Sequence, residues 1–240
     1  MTTAPVPQAY DAALTAKRSD LTGLRSCWWE FVRRFSPRCL LAAVAVAVVA
    51  RVLVGQWSWR DALLVIGVIA AQPFVEWIIH RYLLHLPPFR LFGREIELYG
   101  AVQHRHHHEL PSDLDRVLLG PIEAVSFLAQ IAAANALVIW GYVAVVGGHF
   151  VPLWLTATGL CYMGLLRYEW SHFLIHTPYV PKTRWYRTIW RNHRLHHYKH
   201  EGYWMGVSSN FGDRVLGTNP DQRTIERSPT ARTLAQRPRA

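Results

Sequence analysis

With 240 residues, 51% of them hydrophobic, the chain has room for one domain or two small ones. A net charge of +10 would suit nucleic acid, but the basic stretches alternate with long apolar runs. That pattern points to a membrane protein with a basic face toward anionic headgroups, and excludes nucleic acid as its partner.

Residues 1–38 begin polar and end basic, with no charged stretch leading into an apolar core, so they do not read as a secretory signal. Asp11–Lys17 predicts a frayed helix, and Trp28, Trp29 and Phe31 before Arg33 and Arg34 suggest an amphipathic approach to the membrane surface. Cys39–Val54 is the first apolar run, and Arg51 near its far end can snorkel. A turn bearing Trp57 and Trp59 forms an interfacial belt, and Ala62–Ile79 returns with Pro73 predicting a kink. At about 1.5 Å per residue both runs are slightly short for a ~30 Å apolar core and are expected to extend into the interface.

His80 and His85 follow, five residues apart, or about 140° on an ideal helix. One of them must therefore sit past a helix end, or the helix must carry a π-type bulge. Pro87 and Pro88 stop this helix, and a loop through Leu91–Tyr99 leads to Gln103-His104-Arg105-His106-His107-His108. After a connector, Ala124–Val146 and Val151–Leu166 form a second hairpin around the link Gly147-Gly148-His149-Phe150. His172 and His176, then His193, His196 and His197, are read as lying on two short helices. Past Thr218 the chain is rich in Pro, Thr and Arg without apolar periodicity, and residues 219–240 are expected to be disordered.

The expected fold is an all-α membrane protein, with four transmembrane helices in two hairpins and a cytoplasmic helical cap. A basic segment (1–38) precedes an integral-membrane domain (39–218). Of 26 Lys and Arg, all but Arg51 and Arg60 fall on the side that holds both termini and all the histidine boxes, which makes that side cytoplasmic. Arginine outnumbers lysine 23 to 3 and alanine and valine dominate the apolar runs, a composition that suits a GC-rich bacterium and hence a bacterial cell membrane. Cys27, Cys39 and Cys161 have no ligand spacing and read as small hydrophobes.

Ten histidines in four boxes read as a two-metal site: His80, His85; His104, His107, His108; His172, His176; His193, His196, His197. Positions i, i+3 and i+4 share a helix face, so each box aims its imidazoles one way. His106 points off that face, and His149 lies at the opposite hairpin tip. Neutral imidazole suits iron, zinc or copper. Zinc fits the ligands but is redox-silent, and a structural zinc needs four ligands, not ten. Ten histidines facing a lipid layer suggest activation of O2 against an unactivated C–H bond. Glu76, one turn before His80, could accept its second ring N–H; His200 and Asp213 are further candidates for bracing the ligands.

The spacing His-x4-His, His-x2-His-His, His-x3-His, His-x2-His-His resembles the fatty acid hydroxylase superfamily, and within it the fatty acid 2-hydroxylases. Glu76-Trp77-Ile78-Ile79-His80-Arg81-Tyr82-Leu83-Leu84-His85 is similar to their first box, and His107-His108 with Pro111, Asp113 and Arg116 to their second. His196-His197-Tyr198-Lys199, Gly206-Val207 and Phe211–Thr218 resemble the fourth box and a closing Phe-Trp-Asp-x-x-Phe-Gly-Thr signature. Gly212 and Leu216 replace the tryptophan and second phenylalanine of that signature, Glu169 stands where Asp is usual, and Thr177 replaces a histidine.

The resemblance implies a di-iron monooxygenase, with zinc as a substitute in purified protein, that hydroxylates a fatty acyl or lipid substrate at C2. Residues 1–38 hold no haem-binding cytochrome b5 domain, so the electrons are expected from a separate donor, a cytochrome b5-like protein or a ferredoxin with its reductase. Arg81, Arg191 and Arg194 are candidates for the lipid headgroup. The runner-up activities are those of a carotenoid hydroxylase or a sterol desaturase-like lipid oxidase, and the non-enzyme alternative is a membrane metal-binding or transport protein. The His-x4-His first box disfavours the sterol desaturases and the His-x3-His third box the carotenoid hydroxylases.

Overall fold

The computed structural model describes residues 18–234, so the helix expected at Asp11–Lys17 lies outside the described residues. Helices in chain order are α1 (Leu24–Val32), α2 (Phe35–Val54), α3 (Trp59–Ile78), α4 (Tyr99–Glu109), α5 (Leu114–Val117), α6 (Pro121–Val146), α7 (Phe150–Ile175), α8 (Arg184–Tyr198) and α9 (Phe211–Val215). A π-helix, Ile79–Leu84, continues α3. The chain divides into two compact units. Residues 30–72 and 119–170 form one, and the other described residues form the second.

Four helical stretches among the described residues are long and apolar enough to cross a membrane: Phe35–Val54, Trp59–Leu84, Leu114–Val146 and Phe150–Ile175. Each runs past the apolar run that marks it in the sequence, because backbone hydrogen bonding and not hydropathy sets where a helix ends. Between 11% and 28% of each apolar window is buried, so most of these side chains face outward, as lipid surroundings require. The third histidine box therefore sits at the end of a 26-residue helix rather than on a short one.

The unit of residues 30–72 and 119–170 packs around Leu64, Ile139, Leu153 and Ala157, with Val68, Tyr142, Val143 and Trp154 against them. Arg51 does not snorkel. It is buried, with Nη2 2.6 Å from Asp61 Oδ1, Nε donating to Thr156 at 2.7 Å, and its guanidinium over the Trp57 ring. A charge removed from water must be paired, and Asp61 in the first turn of α3 supplies the partner. Glu169, also buried, accepts from Ser36 and from the Leu119 N–H. At Gly148 (φ 108°) a Cβ would come within 2.9 Å of the Arg60 side chain, so only glycine fits this link.

In the other unit, the segment read as a plain loop contains an antiparallel hairpin, β1 (Phe89–Leu91) and β2 (Arg94–Ile96). The residues past Thr218 also depart from the expectation of disorder. Through residue 234 they lie along α4 and α8: Ser228 N donates to Lys199 O at 2.8 Å, Thr230 Oγ1 to Glu201 at 2.6 Å, and Arg232 to the carbonyls of His108 and Glu109. Ala231 and Leu234 are buried. Polar and backbone contacts hold this tail, and apolar periodicity cannot register them. Residues 235–240 lie outside the described residues.

Candidate metal centre

All ten box histidines come together in one unit, in two groups of five. His80, His85, His104, His108 and His196 form one, and His107, His172, His176, His193 and His197 the other; within each, one ring nitrogen per residue lies within 4.8 Å of the rest. Each group takes one two-histidine box whole. From α4 and α8 it takes the i, i+4 pair of one helix and the remaining histidine of the other. The helical screw explains the division: i and i+4 differ by about 40°, whereas i+3 and i+4 differ by about 100° and aim at neighbouring foci. The rings of His108 and His197, one from each group, have centroids 4.1 Å apart.

The first box depends on the π-helix. His85 N donates to His80 O at 3.2 Å, an i→i+5 bond that returns His85 to the face of His80. The 140° conflict in the sequence is resolved by a bulge.

Backbone carbonyls fix the rings. His80 Nδ1 lies 2.5 Å from Met205 O, His108 Nδ1 2.9 Å from Ala231 O, His172 Nδ1 3.1 Å from Val117 O, and His196 Nδ1 2.8 Å from Tyr203 O. His176 also bonds a backbone group, at Pro111. A carbonyl only accepts, so the proton of each neutral ring must be on Nδ1, leaving the Nε2 lone pair for an ion.

Burial pushes His108 down to about 3. Burial, reinforced by neighbouring histidines, also holds His85, His104, His107, His176, His193, His196 and His197 well below the usual imidazole range. At neutral pH these rings are uncharged, the state in which they ligate metal.

The nitrogens fit a metal. His80 and His85 Nε2 each lie 3.1 Å from His104 Nε2; His107 Nε2 is 3.1 Å and His193 Nε2 2.9 Å from His197 Nε2. Metal–imidazole bonds of about 2.1 Å at right angles place two nitrogens about 3.0 Å apart. The buried Nε2 atoms of His108, His176 and His196 have no hydrogen-bond partner among the described residues, which an ion would supply.

The three bracing candidates fall differently. Met205 O takes the place at His80 expected for Glu76. Glu76 instead accepts from the N–H groups of Val207 and Ser208 at 2.5 and 2.8 Å and from the Ser208 hydroxyl. Asp213 accepts from Met205 N–H at 2.8 Å, Gly206 N–H at 2.7 Å and the Thr218 hydroxyl at 2.6 Å, so it holds the peptide whose carbonyl faces His80. Trp204, buried with φ 56°, donates its N–H to Thr218 O and completes this collar. His200 accepts from Gly202 N–H and shapes the turn ahead of Tyr203 without entering either group. The carbonyls of Met205, Tyr203, Val117, Ala231 and Pro111 were not found from sequence, where a backbone carbonyl leaves no residue signature.

His106 joins neither group, and His149 is exposed in the other unit. Arg81 donates to Gly202 O at 2.9 Å, Arg191 to Asn192, and Arg194 lies over the Trp190 ring, so all three already have protein partners. At Gly212 a Cβ would sit 2.6 Å from Pro73 O; the close approach of α9 to α3 explains the glycine in place of the signature tryptophan.

Residues 64–218 match the family described as fatty acid hydroxylase. The chain belongs to the fatty acid hydroxylase family. It is 30% identical over 152 residues to the ceramide very long chain fatty acid hydroxylase SCS7 of Saccharomyces cerevisiae, covering 60% of this chain and 34% of that protein. It is 28% identical over 145 residues to the fatty acid 2-hydroxylase of Mus musculus, covering 60% and 36%. The match thus spans about a third of the length of either relative. Among solved structures, the hydroxylase domain of scs7p superposes with a TM-score of 0.57 at 22% identity, covering 80% of this chain and 68% of that one, a likeness of fold. This member of the family, with four long apolar helical stretches among the described residues, carries its histidine boxes in two metal-compatible groups.

Proposed function

We propose that this chain is an integral-membrane di-iron monooxygenase that hydroxylates the acyl chain of a fatty acid or lipid at C2. Two convergent five-histidine groups carry the reading, because five neutral imidazoles per focus exceed what a structural zinc requires and suit iron. Family membership supports a lipid substrate, and the fatty acid 2-hydroxylase name of the mouse relative supports C2. The reaction consumes O2, two electrons and two protons; one oxygen atom replaces the C2 hydrogen as hydroxyl and the other leaves as water. The electrons come from a separate donor, a cytochrome b5-like protein or a ferredoxin with its reductase.

The ten histidines are the ligands of the two irons, which when bound supply the redox chemistry. The protein's part is positioning and exclusion of water. Burial keeps His108 neutral, and backbone carbonyls fix the tautomers of His80, His108, His172, His176 and His196. Asp213 and Glu76 hold the Met205–Ser208 segment that supplies the carbonyl at His80. Charge bias supports a cytoplasmic site, and the packing of residues 219–234 supports a hydroxylase domain that extends beyond 218.

Iron-loaded protein reconstituted with a reductase system, labelled O2 and acyl lipids should yield a 2-hydroxyacyl product carrying one labelled oxygen. A double bond as sole product, an unlabelled hydroxyl, or turnover confined to a carotenoid ring would overturn the assignment.

A further inference from the structure

The hairpin β1–β2 takes no part in the histidine site, and the proposed reaction does not use it. Its loop is Phe92-Gly93, with φ of 49° and 75°. Both residues are left-handed, as in the type I′ turn that Asn-Gly or Asp-Gly usually fills. A bulky side chain is seldom held in that region, yet Phe92 is held there and is 95% exposed. In the register, Phe89 faces Ile96 and Leu91 faces Arg94 on one side, while Arg90 faces Glu95 on the other. Five of the six strand residues are exposed and Ile96 is half-buried. A two-stranded hairpin with both faces in water is marginal, so these residues fit surroundings other than water.

Composition and connectivity identify the surroundings. An aromatic tip beside an arginine is the pattern of an interfacial anchor, with the ring at the acyl boundary and the guanidinium reaching back to lipid phosphate. Leu84 ends a membrane-crossing stretch, and Phe89 is five residues later, so the hairpin begins within about 18 Å of the end of that stretch. Tyr82, Leu83, Leu98 and Tyr99 on either side are exposed as well.

We propose that Phe89–Ile96 is a membrane anchor that inserts Phe92 into the headgroup–acyl boundary of the membrane the helices cross, with Arg94 on lipid phosphate. The full chain with Phe92→Cys, spin-labelled in bilayers containing phosphatidylglycerol, tests this. The unsubstituted chain, labelled in parallel, gives the background of the native cysteines, and Glu226→Cys gives a water-exposed reference. The label at 92 should be several-fold more accessible to O2 than to a water-soluble nickel reagent, the reverse of position 226. Adding Arg94→Glu should shift it toward the nickel reagent in anionic but not in zwitterionic bilayers. Nickel accessibility equal to that at 226, no effect of Arg94→Glu, dipolar broadening between labels on two copies, or protection only after an electron-donor protein is added would each overturn the proposal. Should Phe92→Cys fail to fold, Leu91→Cys gives the same reading.

Discussion

Asp213 bonds backbone N–H groups and Thr218, and its carboxylate holds the Met205–Gly206 peptide whose carbonyl sets the tautomer of His80. Asp213→Asn puts an amide N–H₂ against the donor that one carboxylate oxygen now accepts, and an unmet buried donor costs about 1–3 kcal/mol. Because that cost falls on the orientation of a ligand, metal affinity should drop by roughly 10–100-fold, the range for groups that brace metal ligands. Competitive chelator titration checks it, with His149→Ala as the neutral control; a lowered melting temperature at unchanged affinity would mean that Asp213 is structural only. Glu76 was legible as a candidate because it lies one turn before His80, and Asp213 because it falls in the segment that resembles the closing signature. Their action through a peptide plane was not legible, since it depends on how Tyr203–Ser208 folds back.

The π-helix Ile79–Leu84 is equivalent to one residue inserted into an α-helix. Deleting Leu83 should restore α geometry with the two histidines four apart, about 40° on an α-helix, so His85 stays on the face of His80. Inserting an alanine after Leu83 should instead carry His85 about 100° away from it. Helix content by circular dichroism should stay unchanged in both, with metal binding by the His80 group kept by the deletion and lost by the insertion; metal retained after the insertion would mean that His85 is not needed as a ligand. The bulge was readable because five-residue spacing conflicts with 3.6 residues per turn. The hairpin was not, because its turn is Phe-Gly rather than Asn-Gly, and Phe89-Arg90-Leu91 is too short to show a two-residue period. The membrane helices were recognisable by their apolar runs, but their polar ends were not, because hydropathy reports what faces lipid and not where hydrogen bonding stops.

For the molecule as a whole, the tail is the main revision. Removing residues 219–240 should cost affinity at the His108 focus, since His108 loses the Ala231 carbonyl and α4 loses Arg232. Metal content per chain after dialysis measures this; an unchanged content would return the tail to a dispensable role. Charge and hydropathy along the chain marked the boxes and the helices around them, but not the sharing of α4 and α8 between the two foci. That sharing has a thermodynamic consequence. Each of the two helices is a rigid arm with a grip on both centres, so ordering it at one centre removes entropy that the second would otherwise have to lose. The foci are linked functions of one equilibrium, and a change in the pitch of either arm is felt at both.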